Sequence, residues 1–147
     1  MNSNPHVFSS IDFPSTPSAI EPSIPDRLVH RRVLHVNDAA FSEERRHPVA
    51  LVDLPSRSIS MTIGGLAPGQ STRMHRHNYE TVIYVTRGKG RSRIGSKEVE
   101  WEAGDALYVP VWAWHQHSNT SGEDAVYVAC ENAPLLQNLG VALREER

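Results

Sequence analysis

The 147-residue chain carries 15 basic and 17 acidic side chains, for a formal net charge of −2, and a single cysteine, Cys130. That balance lacks the concentrated basic surface of a nucleic-acid binder, and one cysteine excludes both an internal disulfide framework and a cysteine-only metal site. No run approaches the roughly 18 apolar residues of a membrane span and the first residues lack a secretory signal's basic head and apolar core, so a cytoplasmic protein with no membrane partner is expected.

Residues 1–27 hold five of the ten prolines (Pro5, Pro14, Pro17, Pro22, Pro25). Proline fixes φ and removes a backbone donor, so no central helix or strand fits here. The stretch reads either as a disordered tail or as an extended arm along a partner subunit, with Val7, Phe8, Ile11, Phe13 and Ile20 to bury. The remainder, 28–147, reads as one domain. It contains "RRVLHV", "HPVALVDL", "SISMTIGGL", "TVIYVTRG", "GRSRIG", "KEVEWEAG", "ALYVPV" and "AVYVACE". These runs are short, β-branched or aromatic, and bounded by turn residues, the signature of an all-β sandwich or barrel. Tight turns are expected at Gly88–Gly90 and Gly95–Lys97. Only "APLLQNLGVALREER" has helical spacing, and it is expected as a short C-terminal helix broken near Gly140.

Two pairs of histidines stand out. On a strand, residues i and i+2 share a face, so His75 and His77 project together, in phase with Arg73. Imidazole nitrogens at that spacing reach one ion at about 2.0–2.2 Å, and imidazole suits Fe, Zn, Ni or Cu. "VPVWAWHQHSN" supplies a second pair, His115 and His117. Two strands meeting inside a barrel bring the pairs together. By contrast, His6, His30, His35 and His47 have no partner at ligand spacing and are expected to face solvent, and "EERRHP" (43–48) reads as a solvated loop.

These segments resemble the two cupin motifs. Gly69, His75, His77 and Gly88 match the first, G-x5-H-x-H-x3–4-E-x6-G. Gly104, Pro110, His115 and Asn119 match the second, G-x5-P-x-G-x2-H-x3-N, with Trp112 in place of its middle glycine. The resemblance implies a small cupin (jelly-roll) barrel with the metal inside. The family's glutamate ligand would fall at Thr81 or Val82, whereas glutamate stands at 80. On a regular strand Glu80 faces away from the metal, although a β-bulge would turn it inward. A three-histidine site of His75, His77 and His115 is therefore expected. "HRHNYETVIYVTRGKG" with "PVWAWHQHSN" is similar to gentisate 1,2-dioxygenases and related ring-cleaving cupins, which are longer and carry two cupin domains.

What the resemblance implies is a non-haem Fe2+ dioxygenase acting with dioxygen on a hydroxylated aromatic acid such as gentisate, or on a dicarbonyl. Zn2+, Mn2+ and Ni2+ are the alternative ions. The competing functions are a non-redox metal-dependent lyase or isomerase, and a ligand-binding cupin without catalysis. His117 is the candidate catalytic proton acceptor, or else a hydrogen-bonded wall residue. Arg73, Arg93 and Trp114 are candidate substrate-binding residues; Tyr84 and Tyr108 are expected in the core or cavity wall. A homodimer or higher homo-oligomer is expected.

Overall fold

The computed structural model describes residues 21–33 and 39–147. The expected arm as far as residue 20, with His6, and part of the "RRVLHV" run, with His35, lie outside the described residues. Residues 21–32 form no helix or strand, and His30 is only half-buried. In chain order the elements are α1 (Ala39–Arg45), β1 (Val49–Leu51), β2 (Ser60–Leu66), β3 (His75–His77), β4 (Thr81–Arg87), β5 (Lys89–Ile94), β6 (Lys97–Glu102), β7 (Ala106–Val109), β8 (His115–Asn119), β9 (Ala125–Glu131), α2 (Ala133–Asn138) and β10 (Arg144–Glu146). Among the described residues, no helix is long and apolar enough to cross a membrane.

The strands form two five-stranded sheets, β1-β2-β9-β4-β7 and β10-β3-β8-β5-β6, with every pairing antiparallel. This is the expected all-β cupin architecture. Alternation explains how the sheets close on one another. In β4, Thr81, Ile83 and Val85 are buried while Val82, Tyr84 and Thr86 are exposed, the period of two that sorts a half-buried strand into faces. Of the inward set, Ile83 and Val85 join Leu66, Trp101, Leu107, Val109, Ala125 and Ala129 in one apolar core. Tyr84 and Tyr108, expected in the core or wall, sit instead on the outer face, about half exposed.

Two local expectations need correction. The expected turn at Gly88–Gly90 is a crossing: β4 belongs to one sheet and β5 to the other. Gly88 takes φ +80°, and a Cβ there would lie 2.8 Å from the Ala125 backbone. The turn at Gly95–Ser96 does make a hairpin, joining the paired residues Ile94 and Lys97. "EERRHP" is not a loop throughout, since α1 runs to Arg45 and His47 is buried. The expected short C-terminal helix is α2; it breaks before Gly140 (φ +73°) as expected, and the chain beyond adds β10 to the edge of β3. Asn78 holds that addition. Its Nδ2 donates to the Val141 carbonyl, and its Oδ1 accepts from Leu143 N–H, both at 2.8 Å.

Gly90 gives a direct test of the packing. A Cβ there would lie 2.1 Å from the Ser118 carbonyl oxygen and 2.4 Å from the Trp101 ring. Overpacking of this kind costs about 1–3 kcal/mol. Gly90→Ala is expected to lower the thermal midpoint by roughly 2–4 °C per kcal/mol lost, read by differential scanning calorimetry.

Candidate metal centre and its cavity

His75 on β3 stands directly opposite His115 on β8, and His77 follows on the same face as His75. Ring centroids are 4.2 Å apart for His75–His115, 4.8 Å for His77–His115 and 5.8 Å for His75–His77. One nitrogen from each lies within 4.8 Å of the others, and these three form the metal-capable cluster among the described residues. The second nitrogens are all engaged. Nδ1 of His75, His77 and His115 bonds the carbonyl of Arg73, Tyr79 and Ala113 respectively, each at 2.8 Å. A carbonyl only accepts, so each Nδ1 carries the proton and each Nε2 keeps its lone pair. Three neutral, inward lone pairs at this spacing fit a divalent transition metal.

Electrostatics favours the same protonation state. Burial, then the neighbouring His115, holds His75 down to about 2; burial holds His77 down to about 4. Burial likewise lowers His115. Tyr79 stacks on His77, with centroids 3.9 Å apart and planes 1° from parallel. Burial also lowers His117, to about 3, ahead of its histidine neighbours.

The cavity facing this cluster is lined from both sheets. Arg73, His117, Arg144 and Glu146 come from the histidine side, Thr81, Tyr127 and Glu131 from the opposing sheet, and Arg45 and His47 from the end of α1 and the segment after it. His117 is buried, and the Ser92 hydroxyl lies 2.6 Å from its Nδ1. That hydroxyl also accepts the Trp101 indole N–H at 2.8 Å. Arg73 lies in the lining and pairs with Glu146. The other two expected substrate residues lie elsewhere. Arg93 is exposed on β5, on the face opposite buried Ser92. Trp114, one residue before His115, turns outward, where Arg76 and Arg147 stack on it at 4.7 and 4.3 Å. In both cases strand alternation places the side chain on the outer face.

Glu80 is exposed and takes the Tyr108 hydroxyl bond at 2.5 Å, so no bulge turns it inward. Thr81 is buried in the lining and donates to Glu131 at 3.1 Å. Burial raises the Glu131 carboxyl, against that hydrogen bond. Burial also works on Glu146, but bonds from Arg73 and Arg144 outweigh it and hold that carboxyl below its ordinary range.

Sequence reasoning missed His47, Tyr127, Glu131, Arg45 and Arg144. His47, expected at the surface, is 8 % exposed. Its ring bonds the Arg45 carbonyl and the Tyr127 hydroxyl, each at 2.9 Å. Alternation along "AVYVACE" carried the one available signal, since Ala125, Tyr127, Ala129 and Glu131 fall in one phase.

The shifts set a pH dependence. Below about 6.5 an unfolded chain takes up protons that the folded one refuses until about 4 at His77 and about 2 at His75. Stability of the metal-free protein therefore rises with pH across this window and is lost as pH falls through it. Glu131 opposes the trend with one group against five lowered imidazoles. Urea midpoints of metal-free protein are expected to drop steadily between about pH 7 and pH 4.5; a flat profile contradicts the assignment.

Known proteins resemble this chain in sequence and in fold. The cupin domain family matches residues 63–130. The chain is 36 % identical over 76 residues to a 5-aminosalicylate 1,2-dioxygenase of Comamonas sp, a match covering 52 % of this chain and 20 % of that protein. It is 23 % identical over 120 residues to a 5-nitrosalicylic acid 1,2-dioxygenase of Bradyrhizobium sp, covering 74 % of this chain and 58 % of the relative. The chain thus spans about a fifth of the first relative and more than half of the second. A salicylate 1,2-dioxygenase from Pseudaminobacter salicylatoxidans shares the fold, with a TM-score of 0.60 at 24 % identity over 63 % of this chain and 27 % of that one. Paired histidine motifs, opposed antiparallel sheets and these matches together give the chain a cupin domain over residues 63–130, and that domain resembles those of the gentisate and salicylate dioxygenases.

Proposed function

We propose that the protein is a non-haem Fe(II) dioxygenase that cleaves a small hydroxylated aromatic acid. The observation that carries this reading is the convergence of three neutral imidazoles in a cavity that also holds three guanidiniums. Bound there, iron would supply oxygen activation to a substrate that chelates it. Imidazoles leave such an ion its full 2+ charge, which favours an anionic substrate with oxygen donors. Arginines outnumber carboxylates three to two in the lining, in the same sense. The Arg144 Nε is buried without a protein partner, a donor suited to a substrate carboxylate. Arg73 shares Glu146 with Arg144 and is the second candidate for that anion. His117 faces the same space. Its Nδ1 bond to Ser92 fixes the ring, and its Nε2 is the nitrogen left for a substrate oxygen. Arg93 and Trp114 have no place in this scheme.

The test is anaerobic loading with Fe(II), followed by oxygen uptake with gentisate, salicylate, 5-aminosalicylate, other hydroxybenzoates and β-diketones. Uptake matched to substrate consumed is expected for an aromatic acid. Chelation or His115→Ala should abolish it. No uptake above blank with any of them overturns the reading. Turnover under argon that survives zinc in place of iron would put a lyase or isomerase in its place.

The same reading treats the protein as cytoplasmic, with residues 1–27 as an arm apart from the cupin domain, and as a homodimer or higher oligomer. Exposed Val82, Tyr84 and Tyr108 on the outer face of the β1-β2-β9-β4-β7 sheet support self-association, since soluble proteins rarely leave large apolar patches bare. Light scattering behind size exclusion is expected to give at least twice the 16.4 kDa chain mass; a monomer overturns it.

A further inference from the structure

We infer that Tyr127 selects the ring substituent that lies away from the metal centre. Its phenol oxygen accepts a hydrogen bond from a hydroxyl or amino group there, and His47 is the positioning residue that makes it an acceptor. This rests on the reading of the cavity as an aromatic-acid site and names a preference within that class.

Two contacts hold Tyr127 in place. Its ring lies over β2 at Gly64, where a Cβ would come within 2.3 Å of Cζ. Only glycine leaves that room, so the phenol end of the ring packs directly against the strand. The second contact is with His47. The Arg45 carbonyl can only accept, so His47 donates to it from Nδ1. In the neutral ring Nε2 is then an acceptor, and the Tyr127 hydroxyl donates to it at 2.9 Å. Burial favours that neutral form. With its proton committed, Tyr127 has only oxygen lone pairs to offer.

The surroundings divide the labour. His75, His77 and His115 stand on one sheet, and Tyr127 on the other. Facing sheets are about 10 Å apart, so a ring chelated at the histidines points its far edge toward Tyr127. The guanidiniums of Arg45, Arg73 and Arg144 are donors, suited to a carboxylate. Tyr127 is an acceptor, suited to a substituent that donates. A nitro group, which only accepts, finds no proton on Tyr127 while His47 holds it.

The experiment uses the full chain loaded with zinc, so that no turnover occurs, and isothermal titration calorimetry. The ligands are gentisate and 5-aminosalicylate (donors at ring position 5), salicylate (none) and 5-nitrosalicylate (acceptor). One hydrogen bond is worth a factor of about 2–13 in affinity. The two donor ligands are expected to bind about 3–10-fold more tightly than salicylate. Tyr127→Phe should erase that ratio and leave salicylate affinity unchanged. His47→Ala frees the phenol proton and should raise 5-nitrosalicylate affinity relative to gentisate. A merely structural role weakens all four ligands alike, which overturns the proposal. So does a donor preference that survives Tyr127→Phe, or one absent from the unaltered protein although salicylate binds. If none of the four binds, the aromatic-acid reading itself falls and takes this inference with it. Should His47→Ala fail to fold, the Tyr127→Phe ratio alone decides.

Discussion

Each converging histidine places its Nδ1 against a carbonyl two residues away along its own chain: Arg73 for His75, Tyr79 for His77, Ala113 for His115. These bonds are local, so the ring orientation is set by the same backbone that sets the strand. They also fix the tautomer, and with it the direction of every free lone pair. Neutral rings tolerate burial that three imidazolium ions would not, because a charged group in a low-dielectric interior costs far more than a paired neutral one. The direct opposition of His75 and His115 across β3 and β8 then brings the ligands together without a long excursion of chain.

Much of this was legible because it rests on a period of two. The H-x-H pairs announce a shared face, and the apolar runs with their turn residues announce strands. The same rule, applied one residue further, also places Trp114 and Arg93 outward, where the structure has them. What alternation does not encode is partnership across sequence. His47 sits in a charged stretch with no pattern around it, and its burial comes from Tyr127, 80 positions away. Glu131 closes an apolar run and looks like a surface end, yet it bonds Thr81, 50 positions earlier. β10, "REE", has a composition that strands disfavour. It forms because β3 would otherwise present an open edge, and a bare edge leaves unpaired backbone groups.

The glutamate that stands one place early is explained by the same register. Thr81 pairs across to Glu131 and Val109, so it is held in the inward phase and its neighbour Glu80 in the outward one. Tyr108, on the outer face of β7, then takes Glu80 as its hydrogen-bond partner. A carboxylate does enter the cavity, but from β9. Being protonation-prone through burial, Glu131 subtracts less charge from the site than a ligating glutamate would. A cavity with three neutral ligands and a surplus of guanidinium is a different electrostatic environment from one with a ligating carboxylate, and it favours anions more strongly.

Trp112 shows how the two halves of the centre are kept in register. It occupies the position where the cupin pattern has glycine, and it adopts φ +63° there. For a bulky residue that conformation costs about 1–3 kcal/mol, so something must offset it. Its N–H donates to the carbonyl of His77 itself at 2.7 Å, which ties the loop leading into β8 to the strand bearing the first two ligands. Its indole lies under the Arg76 guanidinium at 4.4 Å, and Arg76 in turn pairs with Glu145 on β10. The turn that aims His115, the outer face of β3 and the strand that covers its edge are therefore joined through one side chain. Glycine would adopt the angle at no cost but would leave Arg76 without that surface; tryptophan exchanges backbone ease for a clamp on the outside of the metal-bearing strands.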